Sequence, residues 1–246
     1  MDSIIVLPDM HVPEHDKRTV NNVLKYVQDT GPHKAIIQLG DFVDLSCISH
    51  HSKDSLIAQT EHTVQGEYAE GRKILRDIQS ASPDSEKIML EGNHEFRATR
   101  WIEKYPQMRG AIEPQLGLDL DKYGWRYIPY WSTGEVYKYK KAMFVHGRWC
   151  NKYHAEKHVR EYAHNIFYGH THDVQEFSQA RYGDNDTIVG ASLGCLCKYD
   201  MTYMQGTPSK WQQAFGHFFF KPNGFFNYYV VRVFDHKFVG PNEKEY

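Results

Sequence analysis

Residues 35–44 read AIIQLGDFVD, an apolar run that ends at Gly40-Asp41 and is followed by a second aspartate, Asp44. A short apolar run bounded by turn residues predicts a buried strand. Four other runs end in the same manner, with aspartate, asparagine or histidine just beyond the apolar residues: IIVLPDMH at 4–11, KIMLEGNHE at 87–95, AMFVHG at 142–147 and NIFYGHTH at 165–172. This recurring pattern decides the fold, because it predicts buried strands that each deliver polar side chains at one end.

The residues between these strands predict helices in the first half of the chain. After Asp16, a candidate helix cap, apolar residues recur at helical spacing from Val20 to Val27. The first half therefore predicts alternating strands and helices around a parallel sheet, and the second half, from 125 onward, is β-rich. Further helices are expected at 61–79, at 95–105 and, with Asn151 as its cap, at 151–164; strands are expected at 125–130, 135–140, 142–146, 165–168, 174–181, 187–193, 215–220 and 226–234.

Length and composition favour a single globular domain over residues 1–246. Hydrophobic residues make up 41% and charged residues 24% of the chain, and its apolar runs are far shorter than the roughly 20 residues that span a bilayer. Asp2 stands where an export signal needs positive charge. We therefore expect a cytoplasmic protein with no membrane contact. A net charge of −2 restricts any contact with nucleic acid to a local basic patch.

The four cysteines show no disulfide-framework spacing, which is typical of reduced thiols. Cys195 and Cys197 could hold a soft metal ion, but alternation along one strand explains the pair as well. We favour that second explanation, because two thiolates without another pair are a weak metal signature. Histidine is the unusual residue, since the chain has 15 and histidine is the commonest metal ligand at neutral pH. The histidines at strand ends are therefore candidate ligands.

Neighbouring strands of an α/β sheet end at one edge, so the side chains beyond them meet in one crevice. Seven oxygen and nitrogen donors are expected there: Asp9, His11, Asp41, Asn93, His146, His170 and His172. Such a set fits two divalent ions about 3.5–4 Å apart with one carboxylate between them. Asp41 is the candidate bridge, since its strand neighbours the first. The positive charge of two ions favours an anionic ligand, and phosphate is the expected one.

The two histidines of the last segment, His170 and His172, stand two residues apart. On an extended segment both side chains would project toward the crevice, and each could serve one ion. Gly169 before them would let the backbone approach closely. Nitrogen ligands suit Mn, Fe, Zn, Co or Ni better than an all-oxygen shell would.

In order and spacing, the segments D-x-H, G-D-x-x-D, G-N-H-E, a lone His and G-H-x-H resemble the signature of the calcineurin-like metallophosphoesterase superfamily, in particular its small phage and bacterial members. The resemblance spans residues 9–172. It implies a four-layer α/β/β/α sandwich with the site at the carboxyl ends of the strands. It also implies two divalent ions from among Mn, Fe, Zn, Co or Mg, with Mn the first choice. One would be held by Asp9, His11, Asp41 and His172, and the other by Asp41, Asn93, His146 and His170.

The resemblance further implies that His94 is the general acid for the leaving oxygen and that Asp44 orients it. A carboxylate partner favours the imidazolium form that such an acid needs. The protein phosphatases of this superfamily resemble G-D-x-x-D-R-G at the second segment, whereas this chain reads GDFVDLSC. A protein phosphatase is therefore disfavoured, and a phosphate clamp is expected from Arg97 or Arg148 instead.

The expected reaction is hydrolysis of a phosphate monoester, with a (deoxy)nucleoside 5′-monophosphate as the first choice of substrate. One domain leaves little room for a second DNA-binding module, and Trp131, Trp149 or Tyr153 could stack on a base. An Mre11-like phosphodiesterase or nuclease acting on nucleic acid is the alternative within the superfamily. A metal-binding scaffold without catalysis is the alternative outside enzymes, and the intact Asn93-His94 pair argues against it.

Overall fold

Strands form the centre of the molecule. The computed structural model describes residues 1–50, 62–181, 186–200 and 209–246. The strands of this part of the chain are β1 Asp2–Leu7, β2 Ala35–Gln38, β3 Glu86–Leu90, β4 Trp125–Ile128, β5 Tyr137–Tyr139, β6 Ala142–Phe144, β7 Asn165–Tyr168, β8 Glu176–Arg181, β9 Asp186–Ser192, β10 Ala214–Phe220 and β11 Phe226–Arg232.

These strands build two sheets. The first has the order β11-β10-β1-β2-β3-β4 and the second the order β5-β6-β7-β9-β8. β1 to β4 run parallel, and β10 and β11 extend that sheet antiparallel on the side of β1. In the second sheet β6, β7 and β9 run parallel, with antiparallel strands at both edges. The carboxyl ends of the parallel strands therefore define one edge in each sheet.

The α-helices of the described residues are α1 Lys17–Thr30, α2 Val64–Ala81, α3 Glu95–Lys104, α4 Pro114–Gly117, α5 Tyr130–Thr133 and α6 His154–Tyr162. Asp16 caps α1 as expected, because its side chain accepts hydrogen bonds from the backbone N–H of Arg18 and Thr19. The expected cap of α6 is wrong: Tyr153 precedes the first helical residue, so Asn151 lies outside the helix. The predicted start of the second helix at 61 lies outside the described residues.

The first sheet lies between two apolar cores, because its strands bury side chains on both faces. In β1, Ile5 and Leu7 belong to the core under α1 and α2, whereas Ile4 and Val6 belong to the core between the sheets. The helix α6 covers the outer face of the second sheet, where Val159 packs against Gly190 of β9. The order of layers is therefore helix, sheet, sheet, helix, and the predicted α/β/β/α sandwich is confirmed.

The loops that follow the parallel strands are tied to one another by backbone hydrogen bonds. The N–H of His11, after β1, donates to the carbonyl oxygen of Asp41, after β2, at 2.9 Å. In the second sheet, the N–H of Gly169 donates to the carbonyl oxygen of His146 at 2.9 Å. These bonds join neighbouring loops at the carboxyl-end edge of each sheet. None of the helices in the described ranges is both long enough and apolar enough to cross a bilayer.

Candidate metal centre

Glycines let the loops at the strand ends approach each other closely. A Cβ on Gly92 would overlap the Asp41 carboxylate, and one on Gly169 would overlap the carboxylate of Asp9. Gly40, with φ of 101°, lies against Gly92 and the ring of His146. The absence of side chains at these positions brings the carboxylates of the first sheet against the loops of β3 and β7. The close approach expected at Gly169 is therefore found.

The side chains converge because the backbone turns left-handed at several ligand positions. His11 and Asp41 have φ of 50° and 49°, and His170 and His172 have φ of 67° and 58°. Non-glycine residues rarely adopt this conformation, which costs of order 1–3 kcal/mol each and occurs where the surrounding structure enforces it. The expectation that 170–172 is extended is therefore wrong. The two histidines reach the crevice from a tight loop after β7.

One group of donors lies between the first strand and the last loop. Donor atoms of Asp9, His11, Asp41 and His172 all lie within 4.8 Å of one another, and all four residues are buried. His172 Nε2 is 3.0 Å from His11 Nε2 and 3.2 Å from Asp9 Oδ1. His11 Nε2 is 3.8 Å from Asp41 Oδ2. We call this group the first donor set.

A second donor set lies on the other side of Asp41. Donor atoms of Asp41, His146 and His170 lie within 4.8 Å of one another. His146 Nε2 is 3.3 Å from Asp41 Oδ2 and 3.0 Å from Asn93 Oδ1, so the amide of Asn93 completes the set. The Asp41 carboxylate thus belongs to both sets. All seven residues predicted as ligands are brought together, and their binding of metal stays a prediction.

The spacing and charge of these donors fit divalent ions. Two ligands at right angles, each about 2.1 Å from an ion, lie about 3 Å apart. The donor separations in the two sets are 3.0–3.8 Å. Within the described residues, the ion-pair partners of Asp9 and Asp41 are all histidines. These buried carboxylates therefore have imidazole protons as their counter-charges, and divalent cations could take the place of those protons.

The pKa values of these groups follow from burial and from their neighbours. Burial disfavours the charged form of Asp41, yet His146 and His94 hold its pKa well below its usual range. Burial lowers the pKa of His146 and the Asp41 carboxylate raises it, and the carboxylate prevails, to about 9. The pKa of His172 rises to about 9 because Asp9 likewise outweighs burial. Burial, and then the charge of His146, lower the pKa of His170 to about 3. At neutral pH, His146 and His172 are therefore the protonated partners of the two carboxylates, whereas His170 is neutral.

His94 lies beside the donor sets without belonging to either. Its backbone N–H donates to Asp41 Oδ1 at 2.9 Å, and its Nε2 is 3.8 Å from Asp41 Oδ2. Its Nδ1 lies 2.8 Å from the backbone carbonyl oxygen of Asp44 and 3.0 Å from Asp44 Oδ1, which is also 3.0 Å from His11 Nδ1. A donor at Nδ1 leaves Nε2 as the atom that faces the crevice. The roles expected of His94 and Asp44 stay predictions.

The two arginines expected to clamp phosphate lie in different surroundings. Arg97 donates to the backbone oxygen of Asp44 at 2.6 Å and to His94 Nε2 at 2.9 Å. Arg148 donates to the carbonyl oxygens of Tyr130 and Trp131, each at 3.2 Å, and stacks on both rings. Arg97 is therefore next to the predicted acid, whereas Arg148 holds α5 in place. Substrate contact by either arginine stays a prediction.

Two buried glutamates that the sequence reasoning did not single out hold the loops. Glu95 accepts hydrogen bonds from the N–H groups of Asp41, Gly92 and Val43, at 2.9–3.0 Å. Glu67 of α2 accepts from the N–H of Leu45. Burial and the charge of Asp41 raise the pKa of Glu95 to about 7, and burial and Asp44 raise that of Glu67 to about 8. Glu95 could have been recognised from its position directly after His94, whereas nothing in the sequence around Glu67 marks it.

Tryptophan rings flank both donor sets. The ring of Trp131 lies 5.7 Å from that of His146 and 5.3 Å from that of His170, between centroids. The ring centroid of Trp211 lies 4.3 Å from that of His172 on the other side, and Trp211 was not among the stacking residues expected from the sequence. The other two aromatic candidates differ: Trp149 packs on His158, and Tyr153 is 60% exposed. Of the expected stacking residues, Trp131 is therefore the one that contacts the site.

Comparison with known proteins identifies sequences and a structure that resemble this chain. The sequence model described as calcineurin-like phosphoesterase matches residues 3–174. The chain is 21% identical over 228 residues to the Gene 54 protein of Mycobacterium phage D29, covering 87% of each, and 21% identical over 227 residues to that of Mycobacterium phage L5, covering 86% of each. The crystal structure of Chaetomium thermophilum Vps29 aligns with 12% identity and a TM-score of 0.49, over 100% of this chain and 91% of that one.

Proposed function

The chain belongs to the calcineurin-like phosphoesterase family, whose members hydrolyse phosphoesters with metal ions, and from that premise we propose that it is a phosphomonoesterase acting on (deoxy)nucleoside 5′-monophosphates. The observation that carries the proposal is the shared carboxylate. Asp41 lies between the first and second donor sets, so one residue can join two ions in a single site. Two ions bound there would supply an activated water molecule and positive charge for the phosphate oxygens.

The residues of the chain would divide the remaining work. Asp44 accepts from His94 Nδ1 and fixes the ring, so that Nε2 can deliver a proton to the departing oxygen. In the structure Nε2 accepts a hydrogen bond from Arg97. A protonated Nε2 cannot accept that bond, because both atoms would then be donors. Arg97 would therefore turn toward the phosphate when His94 carries its proton, which places a fork-shaped donor beside the anion.

The two tryptophans support a nucleotide as substrate. Trp131 contacts the second donor set and Trp211 the first, so a phosphate held between the sets has an aromatic ring on either side. Stacking of a base on such a ring stabilises a complex by roughly 1–3 kcal/mol. A compact monophosphate ester with a flat group fits this arrangement, since the phosphate and the base can be held at the same time.

A comparison of three substrates with Mn²⁺ tests the proposal. Nucleoside monophosphates, a bis-aryl phosphodiester and single-stranded DNA are incubated with the wild type and with Asp41→Asn as the inactive control. Faster release of phosphate from the monophosphates supports the proposal. Preferred cleavage of the diester or of DNA would overturn it in favour of a nuclease. Metal binding without hydrolysis of any of the three would identify a scaffold.

A further inference from the structure

Two cysteines lie behind the first donor set, on a segment that follows β9. Cys195 and Cys197 are fully buried, and donor atoms of His172, Cys195 and Cys197 all lie within 4.8 Å of one another. The sequence favoured alternation along one strand as the reason for this pair, but β9 ends at Ser192. Each cysteine instead sits in an isolated β-bridge, Cys195 with Gln213 and Cys197 with His15. Backbone pairing with a neighbouring segment therefore fixes the position of each cysteine.

The two imidazole nitrogens of His172 have different surroundings. Its Nε2 faces Asp9 and His11 of the first donor set. Its Nδ1 is buried and has no hydrogen-bond partner among the described residues. Leaving a buried polar atom unpaired costs about 1–3 kcal/mol, so such an atom calls for an explanation. An ion held by Nδ1 together with the two thiols would supply the missing partner.

We propose that His172, Cys195 and Cys197 form a binding site for one thiophilic divalent ion such as Zn²⁺, separate from the two ions of the donor sets. Two thiolates and one imidazole are a known zinc ligand combination, with the fourth position open to a water molecule. Soft thiolates favour Zn²⁺ or Cd²⁺ over Mn²⁺, whereas the carboxylates, amide and imidazoles of the donor sets suit Mn²⁺. Binding displaces the two thiol protons and, when Nε2 already serves the first donor set, the proton on His172 Nδ1, and all three protons pass to solvent.

The backbone holds the three ligands ready for such an ion. The N–H of Leu196, between the two cysteines, donates to the carbonyl oxygen of Asp9 at 2.7 Å. The N–H of Gln212 donates to the carbonyl oxygen of His172, also at 2.7 Å. Around a tetrahedral ion with bonds of about 2.0–2.3 Å, donor atoms lie about 3.5 Å apart. The donor atoms of His172, Cys195 and Cys197 already lie within 4.8 Å of one another. Closing the site therefore needs only small side-chain movements.

The open fourth position has a second candidate on the same side. His15 pairs with Cys197 across its β-bridge, and paired residues of an antiparallel bridge project to the same face. The His15 ring is buried, and its Nδ1 also has no hydrogen-bond partner among the described residues. His15 is therefore a candidate for the fourth position, although among the described residues the donor atoms around the thiols that lie within 4.8 Å of one another belong to His172, Cys195 and Cys197 alone.

Titration with Cd²⁺ tests the proposal, because the cadmium–thiolate bond gives an ultraviolet charge-transfer band. The protein is kept in excess Mn²⁺ so that the donor sets are saturated, and metal content is measured by mass spectrometry. We expect a band that saturates at one Cd²⁺ per chain. The band should vanish in the Cys195→Ser/Cys197→Ser variant and persist in the matched Cys47→Ser/Cys150→Ser variant, which removes the other two cysteines.

Absence of the band in the wild type, or its survival in the Cys195→Ser/Cys197→Ser variant, would overturn the proposal. Circular dichroism shows whether the double variant folds. If it does not, the cadmium-113 NMR chemical shift of the wild type gives the answer, because thiolate ligands move it far downfield, and a shift typical of oxygen and nitrogen ligands alone overturns the site. Hydrolysis of a phosphomonoester by the wild type with Mn²⁺ alone is measured in parallel. The two measurements can therefore contradict the metal site at the cysteines without contradicting the proposed function, or contradict the function without contradicting the site.

Discussion

The backbone N–H of His170 donates to both carboxylate oxygens of Asp9, at 2.9 and 3.0 Å. This contact joins the loop after β7 in the second sheet to the loop after β1 in the first. It depends on Gly169, because any side chain at that position would overlap the Asp9 carboxylate. The first donor set is therefore assembled across the two sheets through a residue that contributes no ligand.

Replacing Gly169 with alanine tests this contact. The added Cβ must push Asp9 away, so we expect Mn²⁺ affinity to fall by about 10- to 100-fold, the usual effect of disturbing the groups that orient ligands. Isothermal titration measures this directly. The control is Gly31→Ala, where φ is −63° and the new Cβ would meet its nearest neighbours at ordinary distances of 3.6 Å or more. Unchanged Mn²⁺ affinity in Gly169→Ala would show that the two loops adjust freely.

Asp41→Asn removes the shared carboxylate while keeping its shape. An amide is neutral and presents one oxygen, so it cannot neutralise and join two cations as a carboxylate does. We expect the variant to bind at most one Mn²⁺ per chain and to lose hydrolysis. Metal content after gel filtration gives the stoichiometry, with Asp29→Asn on the exposed surface of α1 as the control. Two equivalents retained by Asp41→Asn would exclude the bridging role.

His94→Ala separates proton transfer from metal binding. Both donor sets are complete without His94, so the metal content should be unchanged. Turnover of an alkyl phosphate should fall by roughly 10²- to 10⁴-fold, the usual contribution of a general acid. An aryl phosphate with a good leaving group needs no proton and should lose much less. Equal losses on the two substrates, measured as kcat, would remove His94 from this role.

Trp131→Leu tests the stacking of a base. We expect KM for a nucleoside monophosphate to rise by about 5- to 150-fold, because stacking contributes roughly 1–3 kcal/mol. Glycerol phosphate has no flat group, and its KM should hardly change. Trp149→Leu is the matched control, since Trp149 packs on His158 and not on a predicted ligand. A similar rise in KM for both substrates would assign Trp131 a purely structural role at His146 and His170.

Glu67→Gln should alter how stability depends on pH. Burial raises the pKa of Glu67 from 4.5 to about 8, so between these values the unfolded chain releases a proton that the folded chain keeps. The unfolded state then binds fewer protons, and stability falls as pH rises from 5 to 8. The neutral glutamine removes this contribution, of about 1–3 kcal/mol. Urea unfolding at pH 5 and pH 8 measures it; parallel pH slopes of wild type and variant would contradict the assignment.

The order of elements and the choice of candidate ligands followed from local pattern. Short apolar runs ending in polar residues predicted the strands, and helical periodicity predicted α1. The sandwich with two sheets came from a resemblance and not from periodicity, since nothing in the spacing of β5 to β9 says which strands pair. The wrong cap at Asn151 has a similar origin: a residue type suited to a cap does not fix where a helix begins.

The sequence by itself determined which side chains stand at the ends of which strands, because side-chain chemistry and the length of an apolar run are properties of a short stretch of residues. Only the tertiary structure decided that Asp41 is shared, that 170–172 is a left-handed loop, that Glu95 holds three backbone amides, and that two cysteines face His172. The physical reason is that these relationships join residues far apart in the chain, through loops whose conformation is set by the packing of two sheets and by glycines that leave room for a neighbouring carboxylate.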